Sequence, residues 1–209
     1  MHQKPSLNTT TGLQNQPVKK DKETFRIFAG SYPDNKAPLE ELLSYSEELE
    51  TTWNQKIRWV ETENMHITWK FLGNITQSRI ERAFKELEKI KPCLQPVELV
   101  FDTLIIWPRP SSPRQLVWSV RDQHNNIIEN FKILEKAFKN CGFTKEKRPF
   151  KPHITLGRFK GNQKPEIPIE IPKHICIAPM RFNITNICIV KSELKQQGPV
   201  YTTIKSLDF

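Results

Sequence analysis

The sequence predicts an α+β fold with a mixed or antiparallel sheet. Two observations carry this. Strand-like stretches follow one another in series, and only three helical stretches interrupt them, too few to serve as the crossovers of a parallel sheet. There is also no repeat of solenoid length.

Taken in order, Phe25-Arg26-Ile27-Phe28-Ala29 alternates well enough to be a strand. Pro38 opens a helix expected over 39–53, with Leu39, Leu42, Leu43 and Leu49 as its apolar stripe and acids near its start. A short strand is expected at 57–60 and a stronger one at 65–72, stopped by Gly73-Asn74. Thr76 is placed to cap a helix over 77–90, whose Ile80, Phe84, Leu87 and Ile90 keep helical spacing. Strands at 97–107 and 115–120 flank a Pro-rich hairpin connection with Pro108, Pro110 and Pro113. Asp122 reads as the cap of a helix over 123–140, with Ile127, Phe131, Leu134 and Phe138 on one face and Gly142 just past its end. A strand at 153–159, a Pro-rich loop at 164–173 and two closing strands near 181–194 and 200–206 complete the chain.

With 209 residues the chain is long enough for one full domain or two small lobes. A hydrophobic content of 37%, with 12 Phe, 5 Trp and 3 Tyr, supplies a core and excludes a wholly disordered chain. No apolar run approaches the roughly 20 residues of a membrane span, so no membrane partner is expected. Four scattered cysteines without a CxxC pair suggest neither a disulfide framework nor zinc, and Cys176 and Cys188, in apolar strand-like stretches, read as core thiols. Residues 1–22 are polar, with no apolar signal core and no arginine before Arg26. They read as a disordered tail ahead of one domain over 23–209, in a cytoplasmic protein.

The net charge is +9. It suits either an anionic partner, such as nucleic acid, nucleotide or phosphate, or a basic soluble protein with no special partner. Its distribution is more informative. Lys139, Lys145, Lys147, Arg148, Lys151, Arg158 and Lys160 gather around the single acid Glu146.

Beside that cluster stands one half of an internal echo. Met65-His66-Ile67-Thr68-Trp69 and Pro152-His153-Ile154-Thr155-Leu156 share His-Ile-Thr, and both fall in predicted strands. In a strand, residues two apart share a face. Each segment therefore sets an imidazole beside a hydroxyl, while Ile67 with Trp69, and Ile154 with Leu156, turn to the core. One such segment is most simply a histidine bonded to its strand neighbours, with a threonine of high β propensity. Two of them, one beside a basic cluster, favour a shared site.

The residue types suggest the chemistry. An imidazole titrates near neutrality, so one can accept a proton while another donates one. A threonine hydroxyl donates to a phosphate oxygen without adding charge. Two such pairs across a cleft suit in-line displacement at a phosphodiester, with base and acid on opposite sides of phosphorus, and this chemistry needs neither metal nor cofactor. Two histidines could also ligate a metal, but neither pair has an acidic or cysteine partner beside it.

On these residues the chain resembles the 2H phosphoesterases, named for paired H-x-T-x motifs, and among them the RNA 2′,3′-cyclic phosphodiesterase (bacterial 2′-5′ RNA ligase-like) family. Four segments carry the resemblance: residues 25–29; Arg58-Trp59-Val60 with 64–73; 148–158; and Ser192-Glu193-Leu194 through Gly198-Pro199-Val200-Tyr201. Trp69, where a smaller aliphatic residue is usual, and the long tail depart from the pattern. The resemblance implies a bilobal α+β fold with pseudo-two-fold symmetry, mostly antiparallel sheets flanking a central catalytic groove, and helices outside. It also implies hydrolysis of a terminal 2′,3′-cyclic phosphate to a 2′-phosphate without metal, with His66 as proton donor and His153 as proton acceptor. Thr68 and Thr155 would bind the phosphate, and reverse 2′-5′ ligation would be open to the same site.

Lys70 shares parity with His66 and Thr68, so unbroken alternation points it into the cleft as a further substrate contact, unless a bulge turns it away. Arg158 matches a recurring family position, yet alternation puts it on the core face with Ile154 and Leu156. Lys147, Arg148 and Lys151 are better placed to steer RNA than to touch the reacting group. Phe28, Phe150 and Trp107 could stack on a base, but core packing is the commoner use of a strand aromatic. His2, His124 and His174 receive no role. The expected partner is RNA with a 2′,3′-cyclic end or a related nucleotide, bound by a monomer. Alternatives are a small cyclic nucleotide or ADP-ribose 1″,2″-cyclic phosphate as substrate, or a non-catalytic RNA-binding module.

Overall fold

The computed structural model describes residues 23–54, 56–160, 181–196 and 198–209. Among them the elements are β1 (Phe25–Ser31), α1 (Ala37–Ser44), α2 (Ser46–Thr52), β2 (Ile57–Trp59), β3 (Ile67–Ile75), α3 (Gln77–Ile90), β4 (Val97–Arg109), β5 (Ser112–Arg121), α4 (Asn126–Asn140), β6 (His153–Phe159), β7 (Arg181–Ile184), β8 (Asn186–Lys195) and β9 (Gly198–Asp208). The expected tail over 1–22, the Pro-rich loop at 164–173, His174 and Cys176 lie outside the described residues. No helix among those described is long and apolar enough to cross a membrane.

The strands join into one curled antiparallel sheet in the order β7-β4-β5-β6-β3-β1-β8-β9, with β2 also paired to β6. The expected flanking sheets are thus halves of a single sheet. β9, β8, β1 and β3 form one half and β6, β5, β4 and β7 the other. They meet where Ile67 of β3 pairs with Ile154 of β6. The isoleucines shared by the two His-Ile-Thr segments therefore pair where the two halves of the sheet meet.

One face of the sheet is sealed by the helices. Leu39 and Leu42 of α1, Leu49 of α2, Ile80 and Leu87 of α3, and Leu134 and Phe138 of α4 join Ile27, Ala29, Ile67, Trp69, Ile154 and Leu156 in one buried core. That burial drives the docking of the helices. A smaller cluster on the opposite face unites Phe28, Cys188 and Val190, with Tyr32 and Tyr201 packed against it.

The predicted elements correspond closely, with local differences; Pro108 and Pro113, expected in the hairpin connection, pair within β4 and β5. The stretch expected as one helix breaks at Tyr45 into α1 and α2. β3 runs through Gly73, which takes φ +82, rather than stopping there. Asp122 still serves the start of α4, accepting from the backbone N–H groups of His124 at 2.9 Å and Ile127 at 2.7 Å, but the cap residue is Asn125. The first of the two closing strands divides into β7 and β8.

Candidate active site

His66 immediately precedes β3, and His153 opens β6. Carried one residue either way from the Ile67–Ile154 pair, the antiparallel register sets His66 towards Thr155 and Thr68 towards His153. All four lie on the face opposite the helices.

Both imidazoles are anchored alike. His66 Nδ1–H donates to the carbonyl of Asn64 at 2.7 Å, and His153 Nδ1–H to the carbonyl of Lys151 at 2.7 Å. Each bond spans two residues and fixes the tautomer, so that Nε2 of each ring is left for chemistry. The last residue of a 3-10 turn, Thr62–Asn64, supplies the first carbonyl. The loop before β6 supplies the second, steadied by Val120 N–H donating to Pro152 O at 3.4 Å.

Their surroundings differ. His66 stacks on Phe28 with centroids 4.7 Å apart, and Tyr32 and Tyr201 approach at 5.7 and 5.1 Å. Burial in this aromatic cup lowers its pKa to about 4; nearby His153 and Arg158 add to the effect, against the bond to Asn64. At neutral pH His66 is therefore a neutral imidazole. Burial pushes the Tyr32 phenol up, so it remains a donor. His153 stacks on Trp107 at 5.3 Å, and the Lys151 ammonium lies 5.7 Å from the Trp107 ring centroid. Trp107 and Phe28 thus support the imidazoles. Phe150 is packed between Phe131 at 4.2 Å and Trp69 at 5.5 Å.

Two register shifts decide the other candidates. Gly30 pairs with Thr68 but Ala29 with Lys70, so Trp69 is an extra residue in β3. The bulge turns Lys70 to the helix side, where it is buried in an ion pair with Glu135 of α4. The expectation from unbroken alternation is thereby corrected, and Lys70 is not a cleft residue. In β6, Val117 pairs with Thr155 but Leu116 with Gly157, so Leu156 is the extra residue. This second bulge turns Arg158 from the core face, where alternation had set it, to the cleft.

The same bulges bring out residues that sequence reasoning passed over. Phe71, opposite Phe28 on the cleft face, is 64% exposed. It stands five residues after His66, as Arg158 does after His153, and that matched spacing was a usable signal. Tyr32 had no such signal, and Tyr201 lay in a segment that carried the resemblance without a role; the pairing of β1, β8 and β9 brings both to His66. Among the described residues no three His, Cys, Asp or Glu side chains cluster as a metal centre would need.

A half-barrel whose central strands each bring a His-x-Thr to one face is the architecture of a 2H phosphoesterase, a hydrolase. The LigT like Phosphoesterase family model matches over residues 33–118 and again over 119–201, one match per motif, and the chain belongs to that family. It is 31% identical over 167 residues to the RNA 2′,3′-cyclic phosphodiesterase of Methanocaldococcus jannaschii, covering 79% of this chain and 91% of that protein. The RNA 2′,3′-cyclic phosphodiesterase of Archaeoglobus fulgidus is 28% identical over 149 residues, covering 71% and 82%. Among solved structures, Escherichia coli LigT complexed with 3′-AMP superposes with a TM-score of 0.69 at 21% identity, covering 89% of this chain and 98% of LigT.

Proposed function

We propose that this chain is an RNA 2′,3′-cyclic 3′-phosphodiesterase acting by acid–base catalysis with two histidines and no metal. Water attacks phosphorus and gives its proton to Nε2 of His153. The bond from phosphorus to the 3′-oxygen breaks, and that oxygen takes a proton from Nε2 of His66, leaving a 2′-phosphate and a 3′-hydroxyl. Thr68 and Thr155 hold the non-bridging oxygens, and Arg158 stands on the same face as a further substrate contact. Phe71 offers an exposed ring for the terminal base.

The observation that carries this reading is the matched anchoring of the two rings. Each Nδ1 is tied to a carbonyl two residues back, which leaves each Nε2, on the face shared with the threonines, without a hydrogen-bond partner among the described residues. The curated relatives that bear the name of this activity support the substrate class. With a pKa of about 4, His66 needs the anionic phosphate beside it before it can carry the proton it donates. The catalyst accelerates both directions, so 2′-5′ joining of cyclic and 5′-hydroxyl ends belongs to the same site.

The test is hydrolysis of an oligoribonucleotide ending in a 2′,3′-cyclic phosphate, in EDTA, with the product resolved by phosphorus NMR. Turnover to a 2′-phosphate is expected. A 3′-phosphate product would reverse the leaving group, and activity only with added divalent ion would recast the histidines as ligands. RNA binding with no turnover under any condition would leave a binding module.

A further inference from the structure

β2 pairs with β6 so that Arg58 stands directly opposite Arg158. Like charges facing each other across an antiparallel pair cost stability. Arg121, Arg148 and Arg181 each hold a carboxylate, from Asp102, Glu146 and Glu98. Arg58 and Arg158 have no acidic partner among the described residues.

The backbone keeps the two together. A Cβ on Gly157 would come within 2.4 Å of Ile57 Cγ2 and 3.2 Å of Arg58 O, so only glycine lets β2 lie this close. Val60 N–H donates to Leu156 O at 2.8 Å, and Lys160 N–H to Lys56 O at 2.9 Å, closing both ends of the short ladder. Cross-strand partners share a face, so Arg58 accompanies Arg158 to the cleft. Gln115 of β5 pairs with Arg158 from the other side. A Cβ built on Gly198, at φ +127, would stand 3.9 Å from Arg58 Nη1, which brings the start of β9 against the same guanidinium.

Gln115, Arg158 and Arg58 thus form a polar row across three strands. It runs beside the row holding Thr155, displaced from it by two residues along β5, where Val117 pairs with Thr155 and Gln115 with Arg158, or roughly 7 Å. A phosphate held at the threonines leaves this row free for a second anion further along the same chain. Arginine's planar fork suits phosphate oxygens, and a shared anion relieves the repulsion that the sheet imposes.

We propose that Arg58 and Arg158 form a second phosphate subsite, which takes the internucleotide phosphodiester one step upstream of the reacting end and so favours RNA chain ends over cyclic mononucleotides. The proposal rests on the cyclic phosphodiesterase reading, with Arg58 as the specificity-determining residue.

The test uses a ribodinucleotide with a 2′,3′-cyclic end, its counterpart with a neutral methylphosphonate linkage, and a nucleoside 2′,3′-cyclic phosphate. In the wild type, neutralising the linkage lowers kcat/KM about tenfold, the scale of one charged hydrogen-bonded contact. Arg58→Ala and Arg58→Gln lower the ratio of dinucleotide to mononucleotide kcat/KM by a similar factor. In both variants the methylphosphonate makes little further difference. Equal losses on charged and neutral linkages, or no loss in the wild type, would overturn the subsite. Anisotropy of the two dinucleotides, 5′-labelled, separates this from failure of the enzyme reading. If nothing is turned over, a preference for the charged linkage that disappears with Arg58→Ala still supports the subsite, and equal binding of both by the wild type sinks it. Removing one of two facing charges leaves Tm unchanged or raised, which shows that a functional loss is not unfolding.

Discussion

His66 and His153 share one backbone anchor but not one environment, and that difference makes their chemistry testable separately. His153→Ala removes the group proposed to take the proton from water. It is expected to lower kcat about 10²- to 10⁴-fold, with RNA affinity and its salt dependence nearly unchanged. Loss of binding in parallel with turnover would make His153 a binding residue instead. His66 has a pH signature of its own. Unfolded, it takes a proton near pH 6.5; folded, only near 4. The unfolded chain therefore binds more protons between those values, and stability contributed by neutral His66 is lost as pH falls from 6.5 to 4. The loss is at most about 3 kcal/mol, because the ring is only half-buried. His66→Phe keeps the aromatic packing and should flatten that slope in urea titrations at successive pH values. An unchanged slope would assign it to other groups.

At the scale of elements, the two bulges matter most. Each adds one residue just after the motif threonine, and each reverses the facing of the residues beyond it. In β3 the reversal buries Lys70 and exposes Phe71; in β6 it brings out Arg158. Lys70 and Glu135 join β3 to α4, and the other oxygen of Glu135 accepts Glu146 N–H at 3.0 Å. Lys70→Met leaves that carboxylate buried without its cation and is expected to cost about 3–5 kcal/mol, much of it recovered in Lys70→Met with Glu135→Met. Chemical denaturation of the two variants checks this, and a double variant no more stable than the single would refute it. Gly157→Ala would press a methyl into Ile57 and is expected to cost about 1–3 kcal/mol. Because it pushes β2 from β6, it should also weaken the preference for the charged dinucleotide. Wild-type stability in that variant would show that β2 can shift freely.

At the scale of the molecule, the halves share one sheet and one helix-side core. Ile67 and Ile154, both fully buried, sit where the halves meet. The helix-side core runs continuously through both halves. Unfolding is therefore expected as one cooperative transition, with calorimetric and van't Hoff enthalpies in agreement. Two resolved transitions would mean that the halves fold independently.

The order of elements, the helix-side faces and the two His-x-Thr pairs were legible in the sequence, because periodicity and motif spacing are local properties of a chain. The same residues pointed to the family. Alternation failed one residue beyond each motif. A bulge is set by what the neighbouring strand demands, Gly30 and Ala29 for β3, Val117 and Leu116 for β6, and not by the strand's own pattern. The aromatic cup around His66 draws on β1 and β9, and the facing of Arg58 with Arg158 joins positions 100 residues apart. The sequence by itself determined which groups can do the chemistry. Tertiary structure decided which way they face and what stands beside them, since strand pairing brings together residues that no local pattern connects.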